Sequence, residues 1–251
     1  MRILVTNDDG LHAAGLPHLV RFCRTLGEVT TIVPLVEQSG KSHGIELKQP
    51  FKVQEVELEP GIMAYAVEST PADCVRYGVL ARGMKFDLVI SGINRGFNLG
   101  VDSLYSGTVS AAREAALHGI PAIALSTSLG YYDRVHEQLE KVFDFIEKNQ
   151  LLSYHELYNI NIPENPKGFC ITYQGGPYYS DDFKLDEDGM CTPNGVCVHK
   201  NTGNLRKDTD ATVSGYISIM PMTADITDWN VYGDLIGTDA DPDGPRFNPF
   251  D

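Results

Sequence analysis

Two adjacent carboxylates, Asp8 and Asp9, follow the short apolar run Ile3–Val5 near the start of the sequence. A run of this kind that ends in turn residues is typical of a buried strand. In open parallel α/β sheets, ligands bind at the carboxyl ends of the strands. Because neighbouring carboxylates repel each other, we expect a cation between them, and hard divalent ions such as Mg²⁺ and Mn²⁺ prefer oxygen ligands. The alternative is a tight turn over Asn7–Gly10 whose side chains only cap the backbone.

A polar loop follows the second predicted strand and contains Ser39 and His43. Its Gly40–Ser42 tripeptide is similar to the end of a Walker A motif, but Leu35 stands where that motif requires glycine, so we reject a P-loop. The loop is still expected beside the two aspartates, where Ser39 offers a hydroxyl to the same ion. The alternative for Ser39 is an ordinary turn serine. His43 is either a proton donor to a leaving group or a surface histidine.

A glycine-bearing segment, Ser91–Gly100, follows another predicted strand, Phe86–Ile90. Glycines allow the backbone to approach a ligand closely. Asn94 offers a neutral oxygen ligand, and the guanidinium of Arg95 matches a phosphate group. This combination at the end of a strand favours a binding loop over a structural one.

Three small residues, Ser106, Gly107 and Thr108, begin an alanine-rich helix that is predicted to end at Gly119. Free N–H groups, two hydroxyls and the helix dipole at such a position form a phosphate cradle. The alternative is a serine or threonine cap on a core helix, and the two roles are compatible.

The predicted elements bring these loops to one edge of a sheet. Apolar spacing predicts a helix over Gly10–Gly27 and a strand over Glu28–Pro34, which together with the first strand form a right-handed βαβ unit. The turn after the first strand lacks the GxGxxG pattern, which argues against NAD or FAD. Further along the chain we predict a hairpin within residues 45–67, a helix opening at Ser69–Asp73, a strand over Ile120–Ser126 and a helix over Val135–Asn149.

Composition limits the classes of partner. The chain has 251 residues and a net charge of −14, which argues against a nucleic acid polymer. Its five cysteines form no CxxC pair and are typical of reduced thiols in a cytosolic protein. No run reaches the roughly 18 apolar residues of a membrane span. We therefore expect a cytoplasmic protein with no signal peptide and no membrane partner.

Taken together and in order, several stretches resemble the SurE family of metal-dependent nucleoside-monophosphate phosphatases. The matching stretches are VTNDDG (Val5–Gly10), Ser39-Gly40, STPADCV (Ser69–Val75), SGINRGFNLG (Ser91–Gly100), YSGTVSAAREA (Tyr105–Ala115), GIPAIALS (Gly119–Ser126), NINIP (Asn159–Pro163) and TDATVSGYISIMP (Thr209–Pro221). The departures are modest: Ser69 stands where the family often has glycine, and the loop after Ser39 varies among relatives.

The resemblance implies an α/β fold, in which helices flank a Rossmann-like, mostly parallel sheet and a β-hairpin extension protrudes near the C-terminus. It implies a single domain over residues 1–251. Within it we expect a core over 1–165, a hairpin and oligomerisation extension over 166–229, and an acidic tail rich in proline and glycine over 230–251. The composition of that tail is typical of disorder. Polar Tyr178–Val198 is predicted to be the hairpin, and it resembles the arms by which this family exchanges segments, so we expect a homodimer or homotetramer.

The resemblance also implies hydrolysis of nucleoside 5′- and 3′-monophosphates, with polyphosphate as a side substrate. It implies one divalent cation, Mg²⁺ or Mn²⁺, in each subunit. The metal ligands implied are Asp8, Asp9, Ser39 and Asn94; the catalytic residues are Asp8, Asp9 and Asn94; the phosphate contacts are Asn94, Ser106, Gly107 and Thr108.

Two other functions fit part of the pattern. A haloacid-dehalogenase-type phosphatase also begins with a strand and aspartates, but it needs a DxDx[TV] motif that Asn7–Gly10 does not supply. A nucleotide sensor without catalytic activity would use the same loops for binding alone. The sequence leaves open the preferred base, the preference for 5′ or 3′ phosphate, the physiological metal and the general acid or base.

Overall fold

The apolar runs of the sequence form the strands of one large sheet in a computed structural model that describes residues 1–128, 132, 135–180 and 182–236. The strands are β1 (Arg2–Thr6), β2 (Glu28–Pro34), β3 (Val53–Glu59), β4 (Ile62–Val67), β5 (Leu88–Arg95), β6 (Ala122–Thr127), β7 (Leu157–Ile162), β8 (Phe169–Ile171), β9 (Phe183–Leu185), β10 (Cys191–Pro193) and β11 (Ile217–Pro221). The helices are α1 (Gly15–Leu26), α2 (Pro71–Arg76), α3 (Gly107–Leu117), α4 (Val135–Lys148), α5 (Leu151–Tyr154), α6 (Asp208–Val213) and α7 (Trp229–Ile236). A π-helical turn (Tyr77–Ala81) follows α2, and a 3₁₀ helix (Gly100–Tyr105) precedes α3.

Within the described residues the large sheet has nine strands in the order β3-β4-β2-β1-β5-β6-β7-β11-β8. The pairs β1–β2, β1–β5, β5–β6 and β6–β7 are parallel. Antiparallel pairs occur where β3 meets β4 and where β11 meets β7. The predicted α/β class with a mostly parallel sheet is therefore confirmed.

Side chains of β1 alternate between two hydrophobic layers, one on each face of the sheet. Ile3 and Val5 pack in the layer that α1 and α4 cover, whereas Leu4 packs in the layer under α2 and α3. Each fully buried leucine or isoleucine contributes roughly 1.5–3 kcal/mol. Burial on both faces explains why the central strands are continuous apolar runs rather than alternating ones.

The predicted strand boundaries hold for β2, but β5 is longer than predicted. Beyond Ile90 the strand continues to Arg95, because Asn94 pairs with Ser126 of β6 after a shift of register that begins at Ser91. Asn94 and Arg95 are therefore held at the end of a strand rather than in a free loop.

The C-terminal extension contributes both to the sheet and to a separate hairpin. Strands β11 and β8 extend the large sheet beyond β7, and β8 is its edge strand. Strands β9 and β10 pair only with each other, and all their residues are exposed. The first residues of the predicted disordered tail, 230–236, belong to α7, so disorder does not hold for them. The rest of that tail lies outside the described residues.

All five cysteines are free. No helix among the described residues is long and apolar enough to cross a membrane.

Candidate functional site

The turn that follows β1 is closed by one residue, Asn7. Its side chain accepts a hydrogen bond from the backbone N–H of Gly10 (3.1 Å) and donates one to the carbonyl oxygen of Gly10 (3.0 Å). The tight turn considered from the sequence therefore exists. Because Asn7 makes both bonds, the carboxylates of Asp8 and Asp9 remain available for other partners.

Asp8 lies against the start of α3 and is only 4% exposed. One of its carboxylate oxygens accepts a hydrogen bond from the hydroxyl of Thr108. Gly107 is required beside it, since a Cβ atom there would lie 2.8 Å from the Cβ atom of Asp8. Burial raises the pKa of Asp8, and the Thr108 hydroxyl with the N–H groups of Thr108 and Gly107 opposes that rise. The positive end of the helix thus holds a carboxylate.

Asp9 is half-buried and bonded to the last residue of β5. Its carboxylate accepts a hydrogen bond of 2.9 Å from the backbone N–H of Arg95. Burial is the main cause that raises the pKa of Asp9 to about 6, the Arg95 N–H lowers it, and the charges of Asp8 and Glu37 raise it further. Three carboxylates therefore act on one another here, and a cation would relieve their repulsion.

Ser39 lies on an exposed loop that is tied to the first aspartate. The backbone N–H of Gln38 donates to the carbonyl oxygen of Asp8 (2.7 Å). The hydroxyl of Ser39 donates to the Glu37 carboxylate (2.7 Å), which leaves the lone pairs of the Ser39 oxygen for another partner. Glu37 itself was not selected from the sequence, where it was only one member of a polar loop.

Asn94 presents its amide oxygen and one of its two amide N–H groups, because only the other N–H is used. The amide nitrogen donates to the carbonyl oxygen of Gly96 (2.8 Å). The four predicted metal ligands are thus all oxygen donors, and each aspartate has one carboxylate oxygen held and one left over. Among the described residues no group of three or more His, Cys, Asp or Glu side chains could hold a metal. A hard cation at this edge would therefore need the hydroxyl and amide oxygens as well, and this donor set fits Mg²⁺ or Mn²⁺.

The predicted phosphate cradle is partly occupied by protein groups. The hydroxyl of Ser106 accepts a hydrogen bond from the backbone N–H of Val109 (3.1 Å), so Ser106 is the N-cap of α3. The Thr108 hydroxyl points to Asp8, because a buried carboxylate competes for the same positive helix end. Arg95, in contrast, keeps its side chain exposed at this edge.

His43 is bound far along α3 from the helix start. Its Nε2 atom lies 2.8 Å from the carboxylate of Glu114, which also pairs with Arg76 at 3.1 Å. Glu114 comes seven residues after Gly107, about 10 Å along the helix axis. Burial raises the pKa of Glu114, but the hydrogen bonds from His43 and Arg76 outweigh it and lower the pKa below its usual value. His43 thus fastens the Ser39 loop to α3.

Asp208 of α6 joins the extension to the candidate site, and the sequence analysis missed it. Its fully buried carboxylate accepts hydrogen bonds from the N–H groups of Gly100 (2.8 Å) and Gly175 (2.7 Å). Gly100 has a φ of +54°, and a Cβ atom there would overlap the carbonyl oxygen of Gly176. We call these contacts the Asp208 clamp. They fix the chain between Asn94 and α3. In the sequence, the only signal for Asp208 was its position directly before Thr209–Pro221, one of the stretches that carry the family resemblance.

Comparisons with known proteins agree on one family. The family model described as "Survival protein SurE" matches residues 3–181. The chain is 39% identical over 246 residues to "5'-nucleotidase SurE" of Thermoanaerobacter sp. (strain X514), which covers 92% of this chain and 95% of that protein. It is 38% identical over 242 residues to "5'-nucleotidase SurE" of Thermosipho melanesiensis, and this match covers 90% of this chain and 93% of that protein. The crystal structure of the SurE protein from Aquifex aeolicus matches with a TM-score of 0.73 at 32% identity, over 94% of this chain and 98% of that one.

The first prediction concerns the hydroxyl that holds Asp8. Thr108→Val keeps the shape of the side chain and removes the hydrogen bond, so the Asp8 carboxylate loses its orientation. Groups that orient metal ligands are typically worth about 10- to 100-fold in metal affinity or activity. Calorimetric titration with Mn²⁺ should show a loss of this size, while Thr108→Ser retains wild-type affinity.

The opposite pattern would show that Thr108 contacts phosphate instead. In that case Mn²⁺ affinity stays intact while kcat/KM falls by roughly 10- to 150-fold, the equivalent of about 1.5–3 kcal/mol for one hydrogen bond to a charged group.

The second prediction concerns the Asp208 clamp. Gly100→Ala adds a methyl group that collides with the carbonyl of Gly176 and also strains a left-handed backbone. Gly119→Ala is a matched control, because its φ is +68° and nothing lies within 4 Å of the added atom. Placing alanine in a left-handed backbone conformation costs about 1–2 kcal/mol of folding free energy, and both variants carry this cost. Urea denaturation should therefore show a clearly larger loss for Gly100→Ala, and equal losses would contradict a tightly packed clamp.

Proposed function

The chain belongs to the SurE family, and we propose that it is a divalent-metal-dependent phosphomonoesterase. Its substrates in this proposal are nucleoside 5′- and 3′-monophosphates, which it hydrolyses to nucleoside and phosphate, with polyphosphate as a side substrate. The observation that carries the proposal is the pair Asp8 and Asp9, held side by side at the sheet edge by Thr108 and Arg95. The relatives named 5'-nucleotidase SurE support the substrate class.

One Mg²⁺ or Mn²⁺ ion per subunit would be held by Asp8, Asp9, Ser39 and Asn94. Such an ion supplies positive charge to the phosphoryl oxygens and activates a water molecule. The donor set supports this assignment, because the remaining oxygens of both carboxylates, one hydroxyl and one amide all suit a hard cation.

The protein groups have separate tasks in this proposal. Asp8 and Asp9 are the anionic anchors, and Thr108 and the Arg95 N–H orient them. Asn94 contacts both the ion and the phosphate. Phosphate contacts at Gly107 and Thr108 rest on the positive potential at the start of α3, since the Thr108 hydroxyl already donates to Asp8. The Ser106 hydroxyl only accepts a hydrogen bond from Val109, so its own O–H can still donate to phosphate.

A direct assay separates this proposal from its alternatives. Turnover of p-nitrophenyl phosphate with Mn²⁺ distinguishes an enzyme from a nucleotide sensor. A trapped phosphoaspartyl intermediate would instead support a haloacid-dehalogenase-type mechanism. A panel of 5′- and 3′-nucleotides and polyphosphate, assayed with several metals, then defines the substrates.

The third prediction tests the central pair of carboxylates. Asp9→Asn should nearly abolish hydrolysis, because a neutral amide oxygen is a weaker ligand for a hard cation. Without metal the variant should be at least as stable as the wild type, since it removes one of two charges that repel each other. Added Mn²⁺ should raise the Tm of the wild type, because a ligand bound only by the native state stabilises it, and should do much less for the variant.

The control is Asp144→Asn, which neutralises an exposed carboxylate on α4. It should leave turnover and the Mn²⁺-dependent Tm shift unchanged. Near-normal turnover in Asp9→Asn would remove the basis of the metal-site proposal.

We also propose that the protein is a homodimer or homotetramer. The hairpin exposes large apolar side chains, among them Phe183 (62%) and Leu185 (73%), and α7 exposes Leu235 (81%). Large apolar side chains exposed in this way are typical of surfaces that pack against another chain.

The fourth prediction follows from these exposed side chains. Light scattering at micromolar concentration should give two or four times the chain mass of 27.6 kDa. Replacing Phe183 and Leu185 with serine should shift the assembly towards smaller species, whereas the same change at the isolated exposed residue Tyr154 should not. A wild-type mass of one chain would contradict the proposal.

The net charge and the free cysteines support proposals about the substrate class and the cellular location. A net charge of −14 favours a small phosphorylated substrate over a nucleic acid polymer. Five free thiols support a reducing compartment, so we propose a cytoplasmic location without a membrane partner.

A further inference from the structure

A small pocket lies in the C-terminal extension and shares no residue with the Asp8–Asp9 site. Its volume is about 250 Å³. The lining residues that matter here are Gly176, His199, Lys200, Lys207, Thr209 and Asp210. Pockets for whole small-molecule ligands typically measure about 300–1,000 Å³. The pocket is therefore of a size for a compact polar group rather than for a complete nucleotide.

Buried polar atoms without a hydrogen-bond partner gather at this pocket. Thr209 is 1% exposed and Asp210 is 0% exposed. Thr209 Oγ1 is buried without any hydrogen-bond partner among the described residues. His199 Nε2 and Asp210 Oδ1 also make no hydrogen bond there, but they lie 3.1 Å apart as an ion pair. Buried polar groups are nearly always paired, so the Thr209 hydroxyl calls for a bound partner.

Positive charge dominates the lining. No ion pair among the described residues includes Lys200 or Lys207. Asp210 is the one carboxylate that lines the pocket in this part of the chain, and His199 faces it at 3.1 Å. Two unpaired amines at one pocket in a chain with a net charge of −14 favour an anionic ligand.

Asp210 distinguishes between anions. Its other carboxylate oxygen accepts hydrogen bonds from the N–H (3.0 Å) and hydroxyl (2.6 Å) of Thr202 and from the N–H of Asn204 (3.0 Å). Oδ1 accepts none of these bonds and faces only His199 Nε2, at 3.1 Å. When ionised it can accept a further hydrogen bond but not donate one. An anion with a proton of its own, such as hydrogen phosphate, can donate that bond, whereas sulfate carries no proton near neutral pH.

We propose that this pocket is a second anion site that binds inorganic phosphate. Lys200 and Lys207 supply the positive charge, the Thr209 hydroxyl donates to a phosphate oxygen, and the phosphate proton is donated to Asp210 Oδ1. Inorganic phosphate is also the product of the proposed reaction, but the assignment does not depend on turnover.

The pocket adjoins the Asp208 clamp. Gly176, which forms one wall, is the residue packed against Gly100, and Thr209 directly follows Asp208. Phosphate bound there would hold the two segments of the clamp together. The 3₁₀ helix that begins at Gly100 would then open less often.

Calorimetric titration of the full chain with sodium phosphate at pH 6.5 in EDTA tests the proposal. Without a metal, the carboxylates of Asp8 and Asp9 repel anions from the first site. We expect one phosphate per chain, sulfate binding at least 10-fold weaker, and AMP, whose ester is too large for the pocket, also at least 10-fold weaker. Amide exchange over residues 100–106 should slow when phosphate is added.

The decisive variant is Lys200→Gln with Lys207→Gln, which removes both charges and keeps most of each side chain. It should raise the Kd for phosphate at least 10-fold and cancel the slowing of exchange. The matched control, Lys141→Gln with Lys148→Gln on the exposed face of α4, should bind phosphate as the wild type does.

Three results would overturn the assignment: no phosphate uptake by the wild type, equal affinity in the two double variants, or equal affinity for sulfate and phosphate. Because the titration measures binding and not turnover, its result is valid even if the protein has no phosphatase activity. A failed titration would likewise leave the phosphatase proposal intact.

Discussion

The edge of the sheet depends on one buried charge, the carboxylate of Asp8. Removing a carboxylate from water is costly unless hydrogen bonds or opposite charge compensate it. Here the start of α3 and the Thr108 hydroxyl provide that compensation. Asp9 adds a second carboxylate that no helix offsets, and its burial, together with the charges of Asp8 and Glu37, raises its pKa. The two carboxylates therefore repel each other, and the divalent cation proposed above would relieve this repulsion.

Local pattern was enough to predict the mostly parallel sheet and the edge at which the candidate residues lie. The runs Ile3–Val5 and Glu28–Pro34 are apolar and end in turn residues, so each specifies a strand without distant information. Parallel strands joined by a helix then bring their carboxyl ends to one edge. Ser39, Asn94 and the two aspartates follow such ends, which is why their sequence positions alone pointed to a shared location.

Contacts between distant segments could not be predicted in the same way. Thr108 and Asp8 are separated by 100 residues, and Gly100 and Asp208 by 108. A hydroxyl at a helix start can cap the helix, bind phosphate or hold a side chain, and only the fold decides which partner is nearest. The extra length of β5 has the same cause, because Asn94 is drawn into the strand by Ser126 of β6.

The C-terminal extension therefore holds the backbone near the candidate site, in addition to its proposed role in oligomerisation. The chain from Asn94 to α3 carries the candidate phosphate contacts but has few apolar anchors of its own, and the buried carboxylate of Asp208 replaces them. A carboxylate bonded only to backbone N–H groups fixes main-chain position without prescribing side chains. The proposed phosphate would contact Gly176 and Thr209, which adjoin this clamp, and the clamp holds the backbone that leads from Asn94 to α3.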